Sequence, residues 1–176
     1  VVLAGGYWSE RFLANHDVRF PQAGVISSVM RTSAVDLGHD RTFCGGAFAA
    51  RKRLDGGYTI ANALHSRAEL TPNHLRYFKD FLPILKMDPS AVQLRVGKRF
   101  FDEWRMPRRW SLYGVSPFEQ VRSLDPMPHH SLLTQALAEL KTACPAFAKA
   151  EVKETWAGMI DVTPDAVPVI DQVSKY

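Results

Sequence analysis

Cysteine is scarce in this chain, with Cys44 and Cys144 the only two among its 176 residues. The two lie far apart and fit neither a metal-ligand nor a redox spacing, which excludes disulfide-framework proteins and cysteine-ligated metal centres. We therefore expect both thiols to be buried and reduced, as is compatible with a cytoplasmic protein.

Long apolar runs are also lacking. No stretch approaches the ~20 apolar residues that a membrane helix needs, so the sequence predicts no membrane span. The opening VVLAGG is apolar, but it is short and has no basic leader, which argues against a signal peptide. The first residue is Val1 rather than methionine, and we expect the chain to begin inside a larger protein.

Motifs of a self-sufficient catalytic site are missing as well. No G-x-G-x-x-G follows a strand-like segment, so the chain lacks the pyrophosphate-binding fingerprint of dinucleotide folds. Neither Ser9 nor Ser131 lies in a nucleophile-elbow context. His129 and His130 point in different directions because they are adjacent, and no carboxylate lies at ligand spacing. The sequence predicts no catalytic triad and no metal site.

The net charge is +4, and basic residues concentrate in residues 51–53 and 98–109. Basic residues interleaved with tryptophans are typical of nucleic-acid-binding surfaces, which keeps a nucleic-acid-binding domain as one hypothesis. However, Phe100, Phe101 and Trp104 have helical spacing, which predicts an apolar stripe packed inward while the basic side chains stay solvated. We therefore favour a protein without a nucleic-acid partner.

The first half of the chain is strand-rich. Asp55-Gly56-Gly57 supplies the positive φ values that a tight hairpin turn needs. The predicted elements are a buried strand over Val1–Ala4, a short helix over Ser9–Ala14, a bent strand over Val18–Thr32 and a hairpin of Phe43–Arg51 with Tyr58–Ala63.

The second half of the chain contains the helices. Thr71 with Pro72 predicts a helix start, and Leu75, Phe78, Leu82 and Leu85 form its apolar face. Further predicted elements are a strand over Val92–Val96, a helix over Lys98–Arg105, a connection over Pro107–Pro128, a helix capped by Ser131, and strands over Val152–Ile160 and Val167–Ile170. Strands without regular βαβ alternation predict an α+β fold, in which a mixed, largely antiparallel sheet has helices on one side.

Three segments resemble a known family. Trp156–Ile170 (WAGMIDVTPDAVPVI), Val1–Ser9 (VVLAGGYWS) and Ala47–Ala61 (AFAARKRLDGGYTIA) are similar to elements of the D-amino-acid-oxidase-like FAD-dependent amine oxidoreductases, and they occur in that family's order. The resemblance covers essentially the whole chain. On residues alone, Asp161 and Asp165 flank a turn, where capping is a more common role than catalysis.

The resemblance implies FAD as cofactor and a sheet that forms a wall over the flavin ring. It implies that residues 1–15 are a remnant of the FAD-binding domain, 16–162 the substrate-binding domain and 163–176 a truncated return to the FAD-binding domain. The rest of that domain would be a partner of this chain. The residues implied to contact the cofactor are Gly5, Gly6, Trp8 and Ser9, because glycine allows close approach of the backbone.

The family's chemistry is oxidation of a C–N bond by hydride transfer to flavin, and it requires no strong catalytic base. The substrate residues implied by the resemblance are Phe48 or Ala49, of which strand alternation lets only one face the flavin, with Arg51 and Ile160. Ile160 stands where the glycine- and D-amino-acid-oxidising members place a carboxylate-binding arginine. The candidate replacements are Arg51 and an arginine in segments of the family that this chain lacks, although a solvated hairpin charge is the simpler explanation of Arg51.

The pattern WxGxIDxTPDAxPxI resembles the sarcosine-oxidase β-subunit and related opine or glycine dehydrogenase subunits. We therefore expect a small amine or amino-acid substrate, possible partner oxidoreductase subunits, and no activity from this chain alone. The alternative is a non-catalytic interaction subunit, or remnant, that keeps the fold without flavin.

Overall fold

The computed structural model describes residues 2–64, 66–87 and 92–173, and within them the chain forms one sheet with helices. The strands are β1 (Ala23–Thr32), β2 (Phe43–Gly45), β3 (Phe48–Lys52), β4 (Tyr58–Asn62), β5 (Ser66–Glu69), β6 (Val92–Arg95) and β7 (Val152–Val162). The helices are α1 (Ser9–Asn15), α2 (Pro72–Arg76), α3 (Phe78–Met87), α4 (Lys98–Arg105), α5 (Pro117–Gln120) and α6 (His130–Ala143).

Strand β1 organises the sheet. Its partner on one edge is β7, which pairs with it from Ala23 to Thr32. Since a strand has two edges, β4 and β5 must share the other one, and β1 meets β4 at Val29–Arg31 and β5 at Ile26. The path runs β2-β3-β4-β1-β5-β6, and every pair is antiparallel except β5 with β6. The predicted α+β class with a largely antiparallel sheet is confirmed.

Helix α6 covers one face of this sheet. Met30, Tyr58 and Ile60 lie on that face by strand alternation, and they pack with Leu140 and Phe147 in a single apolar cluster. The ring centroids of Tyr58 and Phe147 are 5.0 Å apart in an edge-to-face arrangement. We call this side of the sheet the covered face.

The helix predicted from Thr71 begins there but is broken. Thr71 caps α2 through a reciprocal capping box, in which the Thr71 amide donates to His74 Nδ1 at 3.1 Å. Tyr77 leaves helical geometry and separates α2 from α3. The predicted apolar face is therefore wrong in part, since Leu75 and Phe78 are exposed while Tyr77 is buried.

Helix α4 has the predicted bounds but the opposite orientation. Phe101 and Trp104 are 56% and 68% exposed, while Glu103 is buried. The reason is that Arg99 and Glu103, on the polar side of α4, form an ion pair inside the protein, where Glu103 also accepts a hydrogen bond from Tyr7. The expected inward apolar stripe is therefore wrong, whereas Arg105 and Arg109 are exposed to solvent as expected.

Several smaller predictions also need correction. Residues 2–5 and 167–170 form no strand, and Val2 and Ile170 are almost fully exposed because no neighbouring strand covers them; Val1 lies outside the described residues. The long strand begins at Ala23 rather than Val18. Cys44 lies exposed on β2 and Cys144 is partly buried, both as free thiols.

The helix starts differ from the sequence prediction in two places. Helix α6 starts at His130, one residue before the predicted cap, with the His129 amide donating to Ser28 Oγ at 2.8 Å. The predicted connection over Pro107–Pro128 contains α5, capped by Ser116 and Glu119. Among the described helices, none has the length and apolar character required to cross a bilayer.

Candidate functional site

The second face of the sheet is open to solvent along β7. Strand register places three rows of side chains on it, and together they define the open face. The first row is Arg51, Thr59, Arg31 and Glu154; the second is Ala49, Ala61, Val29 and Trp156; the third is Ser27 and Gly158, followed by Ile160. Trp156 is 36% and Ile160 47% exposed, whereas Ala157, between them on the opposite face, is buried.

Gly158 lies at the centre of β7 on this face. A Cβ built on Gly158 would have no atom within 4 Å, so the space above the backbone is open. Small side chains, Ser27 across the strand pair and Ala49 and Ala61 beyond it, keep the surrounding floor low. A planar group can therefore approach the sheet closely between Trp156 and Ile160.

One end of the open face is charged. Arg31 forms ion pairs with Glu154 at 2.9 Å and with Asp55 at 3.6 Å. Arg51 lies in the same row, and its side chain is exposed. Within the described part of the chain, Arg51 has no ion-pair partner. This end of the open face therefore has two arginines. Arg31 is ion-paired within the protein, whereas the exposed guanidinium of Arg51 is available to an anionic ligand.

The structure separates the four residues predicted to contact substrate. Ala49, Arg51 and Ile160 share the open face. Phe48 lies on the covered face and is buried in the apolar core. Strand alternation had allowed only one of Phe48 and Ala49 to lie on the open face, and that residue is Ala49.

The predicted cofactor segment forms a tight turn. Gly6 has φ of 52°, which favours glycine, and both Gly5 and Gly6 are exposed. A 3₁₀ turn over Gly6–Trp8 leads directly into α1 at Ser9. The Trp8 ring packs edge-on against Phe118 at a centroid distance of 5.5 Å, so Trp8 is held from the side of α5. Two exposed glycines remain available for close approach of a ligand.

Gln22 connects this glycine turn to β7, and sequence reasoning missed it. Its Nε2 donates to the Gly6 carbonyl at 2.9 Å and to Asp161 Oδ2 at 3.0 Å. Its Oε1 accepts from the Glu10 amide at 3.0 Å. A single glutamine before a strand belongs to no motif, so no sequence signal could have identified it.

A buried network around Glu103 was also missed. Glu103 accepts from the Tyr7 hydroxyl and from Arg99 Nε, each at 2.7 Å. Arg99 also lies over the Tyr7 ring and contacts the Met159 sulfur at 3.3 Å. Burial and the neighbouring Glu103 carboxylate raise the pKa of Tyr7, which therefore stays a donor. Gly24 lies beneath Tyr7, where a Cβ would clash with the ring.

Glu10 forms a second buried centre. It accepts from Arg108 at 2.7 Å, from Asn73 at 2.7 Å and from the Tyr77 hydroxyl at 2.6 Å. Burial alone raises the pKa of Glu10, but these hydrogen bonds outweigh burial, and the pKa lies below its ordinary value. Burial and the bond to Glu10 raise the pKa of Tyr77 to about 12. The two networks fix the positions of α1, α2 and α4 relative to one another.

Helices on one face and a low, open floor on the other define this molecule as a DAO-like α+β protein. The chain belongs to the family of FAD dependent oxidoreductases (DAO), whose profile matches residues 1–176. The family is FAD dependent, so FAD is the expected cofactor. A search of curated proteins finds no match.

Solved structures agree with this assignment. The L-amino acid deaminase from Proteus myxofaciens, solved in complex with anthranilate, is 28% identical with a TM-score of 0.92, over 100% of this chain and 39% of that one. The L-amino acid deaminase from Proteus vulgaris is 27% identical with a TM-score of 0.89, over 98% and 40%. Glycine oxidase from Geobacillus kaustophilus, 13% identical with a TM-score of 0.53, over 98% and 32%, shares the fold. The chain spans about two fifths of the deaminases' length.

The residues present fit a flavin. The unobstructed backbone at Gly158 suits the flat face of a ring system, and the exposed Gly5–Gly6 turn permits close approach of a ligand. The floor between Trp156 and Ile160 is apolar apart from Ser27, which favours a ring that displaces water.

Proposed function

We propose that the open face holds the amine substrate of an FAD-dependent amino-acid oxidoreductase against the flavin. When bound, FAD supplies the acceptor for the hydride that leaves the substrate carbon as the C–N bond is oxidised. The part played by this chain is to orient the substrate and to exclude water. The names of the two deaminases support an amino acid as the substrate class, beside the secondary amines that the sequence pattern indicates.

Arg51 is the observation that carries the proposal. An exposed guanidinium without an ion-pair partner among the described residues, at the edge of a low floor, suits a substrate carboxylate. Guanidinium binds a carboxylate through two parallel hydrogen bonds, which fixes orientation as well as position. Arg51 would thus replace the anchor that Ile160 does not provide.

The apolar side chains of the open face have a complementary role. Val29, Trp156 and Ile160 line the floor beside Gly158 and offer no hydrogen-bonding side-chain group except the indole N–H of Trp156. They would exclude water from the reacting C–N bond, which strengthens the electrostatic interactions of bound groups. Ala49 would leave room for the substrate side chain.

The test is Arg51→Ala in the full-length natural protein that contains these residues, purified with FAD. Loss of a charged, bidentate contact of about 1.5–3 kcal/mol should raise KM for an amino acid roughly 10- to 100-fold. Arg53→Ala is the matched control, because Arg53 bonds within its own hairpin to Asp55 and Thr59. An unchanged KM in Arg51→Ala, with Arg53→Ala equally inert, would remove the proposed anchor.

The domain boundaries and partners belong to the same proposal. Residues 16–162 would form the substrate-binding unit, while 1–15 and 163–176 join it to an FAD-binding domain supplied by the rest of the protein. The competing hypothesis is an interaction subunit that keeps this fold without flavin. A full-length protein that is folded, colourless and unable to take up added FAD would favour that hypothesis.

A further inference from the structure

Gln22 is a buried side chain that is hydrogen-bonded through both ends of its amide. It is 2% exposed and precedes β1. Both N–H groups of its amide donate, to the Gly6 carbonyl and the Asp161 carboxylate, and its oxygen accepts from the Glu10 amide. A buried amide bonded through both its nitrogen and its oxygen is a rigid connector, because loss of a partner leaves a buried polar group with an unmade hydrogen bond.

The three partners lie on three different segments. Gly6 lies in the glycine turn, Glu10 in the first turn of α1, and Asp161 in β7 next to Ile160. The same nitrogen of Gln22 bonds both Gly6 and Asp161, at 2.9 and 3.0 Å, so it sets the spacing between the glycine turn and β7. Its oxygen caps the amide of Glu10 near the start of α1 and thereby orients the whole amide group.

We infer that Gln22 is a positioning residue, which holds the glycine turn at a fixed distance from the substrate floor of β7. This role rests on the proposed function, in which the turn and the floor contact the same flavin. The position requires a side chain that both donates and accepts, as glutamine does. Its nitrogen donates to two oxygen atoms, and its oxygen accepts from a backbone N–H. Glutamate has the same shape but cannot donate in its ionised form.

The experiment is Gln22→Glu in the full-length natural protein. The introduced carboxylate keeps the acceptor for the Glu10 amide but turns a second acceptor toward the Gly6 carbonyl and Asp161. We expect the dissociation constant for FAD, measured by quenching of FAD fluorescence on adding apoprotein, to rise at least tenfold. Retained FAD affinity in Gln22→Glu, with a wild type that binds FAD, would overturn the role of Gln22 and leave the proposed function intact.

Asp161→Asn supplies the rescue. Alone it should change FAD affinity less than threefold, because Gln22 can still donate to the amide oxygen at position 161. In the double variant with Gln22→Glu, the donor and acceptor exchange places. The amide introduced at position 161 donates to the carboxylate introduced at position 22, which restores one hydrogen bond between the two positions. We expect the double variant to recover at least threefold of the lost FAD affinity. A double variant as weak as Gln22→Glu would contradict the proposed geometry.

Leu140→Ala separates positioning from general destabilisation. Leu140 is buried in the core under α6, away from the glycine turn. At a comparable loss of melting temperature, only Gln22→Glu should weaken FAD binding and shift the flavin absorption band. Should Gln22→Glu fail to fold, Asp161→Ala changes an exposed side chain, removes one bond of Gln22, and should still weaken FAD binding threefold or more. A wild type that binds no FAD would instead overturn the proposed function itself, and with it this role.

Discussion

The two faces of the sheet differ in how many interaction partners their side chains have within the protein. On the covered face, aromatic rings interlock under α6, and buried carboxylates such as Glu10 and Glu103 have several donors each. On the open face, Gly158 has empty space above it, and Arg51 has no ion-pair partner among the described residues. The same strands thus have one side whose residues are packed within the protein and one side that is open to solvent.

This difference teaches where binding groups are to be found in such a domain. Residues of the covered face satisfy one another, so their substitution should act first on folding. Residues of the open face have few internal partners, so their substitution should act first on binding. Substitutions on the covered face should therefore reduce stability more than substitutions on the open face.

Phe147→Ala should have the largest effect. Phe147 is fully buried against Tyr58, and truncation leaves a cavity that should lower the free energy of unfolding by about 3–5 kcal/mol. Urea denaturation followed by circular dichroism measures this. The control is Trp156→Ala on the open face, for which a loss near 1 kcal/mol is expected because the ring is already partly exposed. Equal losses in the two variants would contradict the division between the faces.

Glu10→Gln should follow. The substitution leaves Arg108 beside a neutral amide, and breaking a buried ion pair costs about 3–5 kcal/mol. Because Arg108 is partly exposed, we expect the lower end, about 3 kcal/mol, in the same urea assay. Glu154→Gln is the matched control, since that ion pair with Arg31 is exposed and should contribute less than about 1 kcal/mol.

Acid should weaken the covered face through Glu10. The folded-state pKa of Glu10 is below the ordinary 4.5, so its ionised form contributes stability above about pH 4.5. That contribution is lost as pH falls through the folded-state pKa. Urea midpoints between pH 3 and 7 should therefore fall on the acid side in the wild type and fall less in Glu10→Gln. Parallel curves for the two proteins would rule Glu10 out as a source of acid sensitivity.

Gly158→Leu should change stability least, within about 0.5 kcal/mol, because a Cβ at this position has no atom within 4 Å and the added side chain extends into solvent-exposed space. It would nevertheless occupy the floor of the open face. In the full-length protein we expect FAD binding or amino-acid turnover to fall at least tenfold. Gly114→Leu, on an exposed loop, serves as the control and should leave both unchanged. Normal FAD binding and turnover in Gly158→Leu would mean that nothing packs on this floor.

The sequence predicted those parts of the fold that depend on local signals. Thr71-Pro72 marks a helix start through capping, and Asp55-Gly56-Gly57 a hairpin through positive φ, and both lie where expected. The orientation of α4 could not be predicted in this way. Its inward side is set by Tyr7, far away in the sequence, which pairs with Glu103 and outweighs the apolar spacing of Phe101 and Trp104.

The candidate site was predictable to the same degree. Ala49, Arg51 and Ile160 followed from resemblance to a family, and strand alternation then excluded one of two neighbours. Gly158 lies within a motif that the resemblance identified. However, the open space above its backbone depends on the folded sheet and could not be predicted from the motif. Gln22 contacts Asp161 and Gly24 contacts Tyr7, both far away in the sequence. Such long-range contacts produce no periodic pattern from which they could be predicted.

The bond that Gln22 makes to both Gly6 and Asp161 has an evolutionary consequence. Gly6 lies before the first strand of the sheet and Asp161 lies near the end of the last one, and one side chain joins these two points. A unit whose entry and exit are adjacent can be inserted into a loop of a host domain without stretching either. Gln22 therefore holds two sequence-distant points of the chain, Gly6 and Asp161, close together, which is the geometry that insertion into another domain requires.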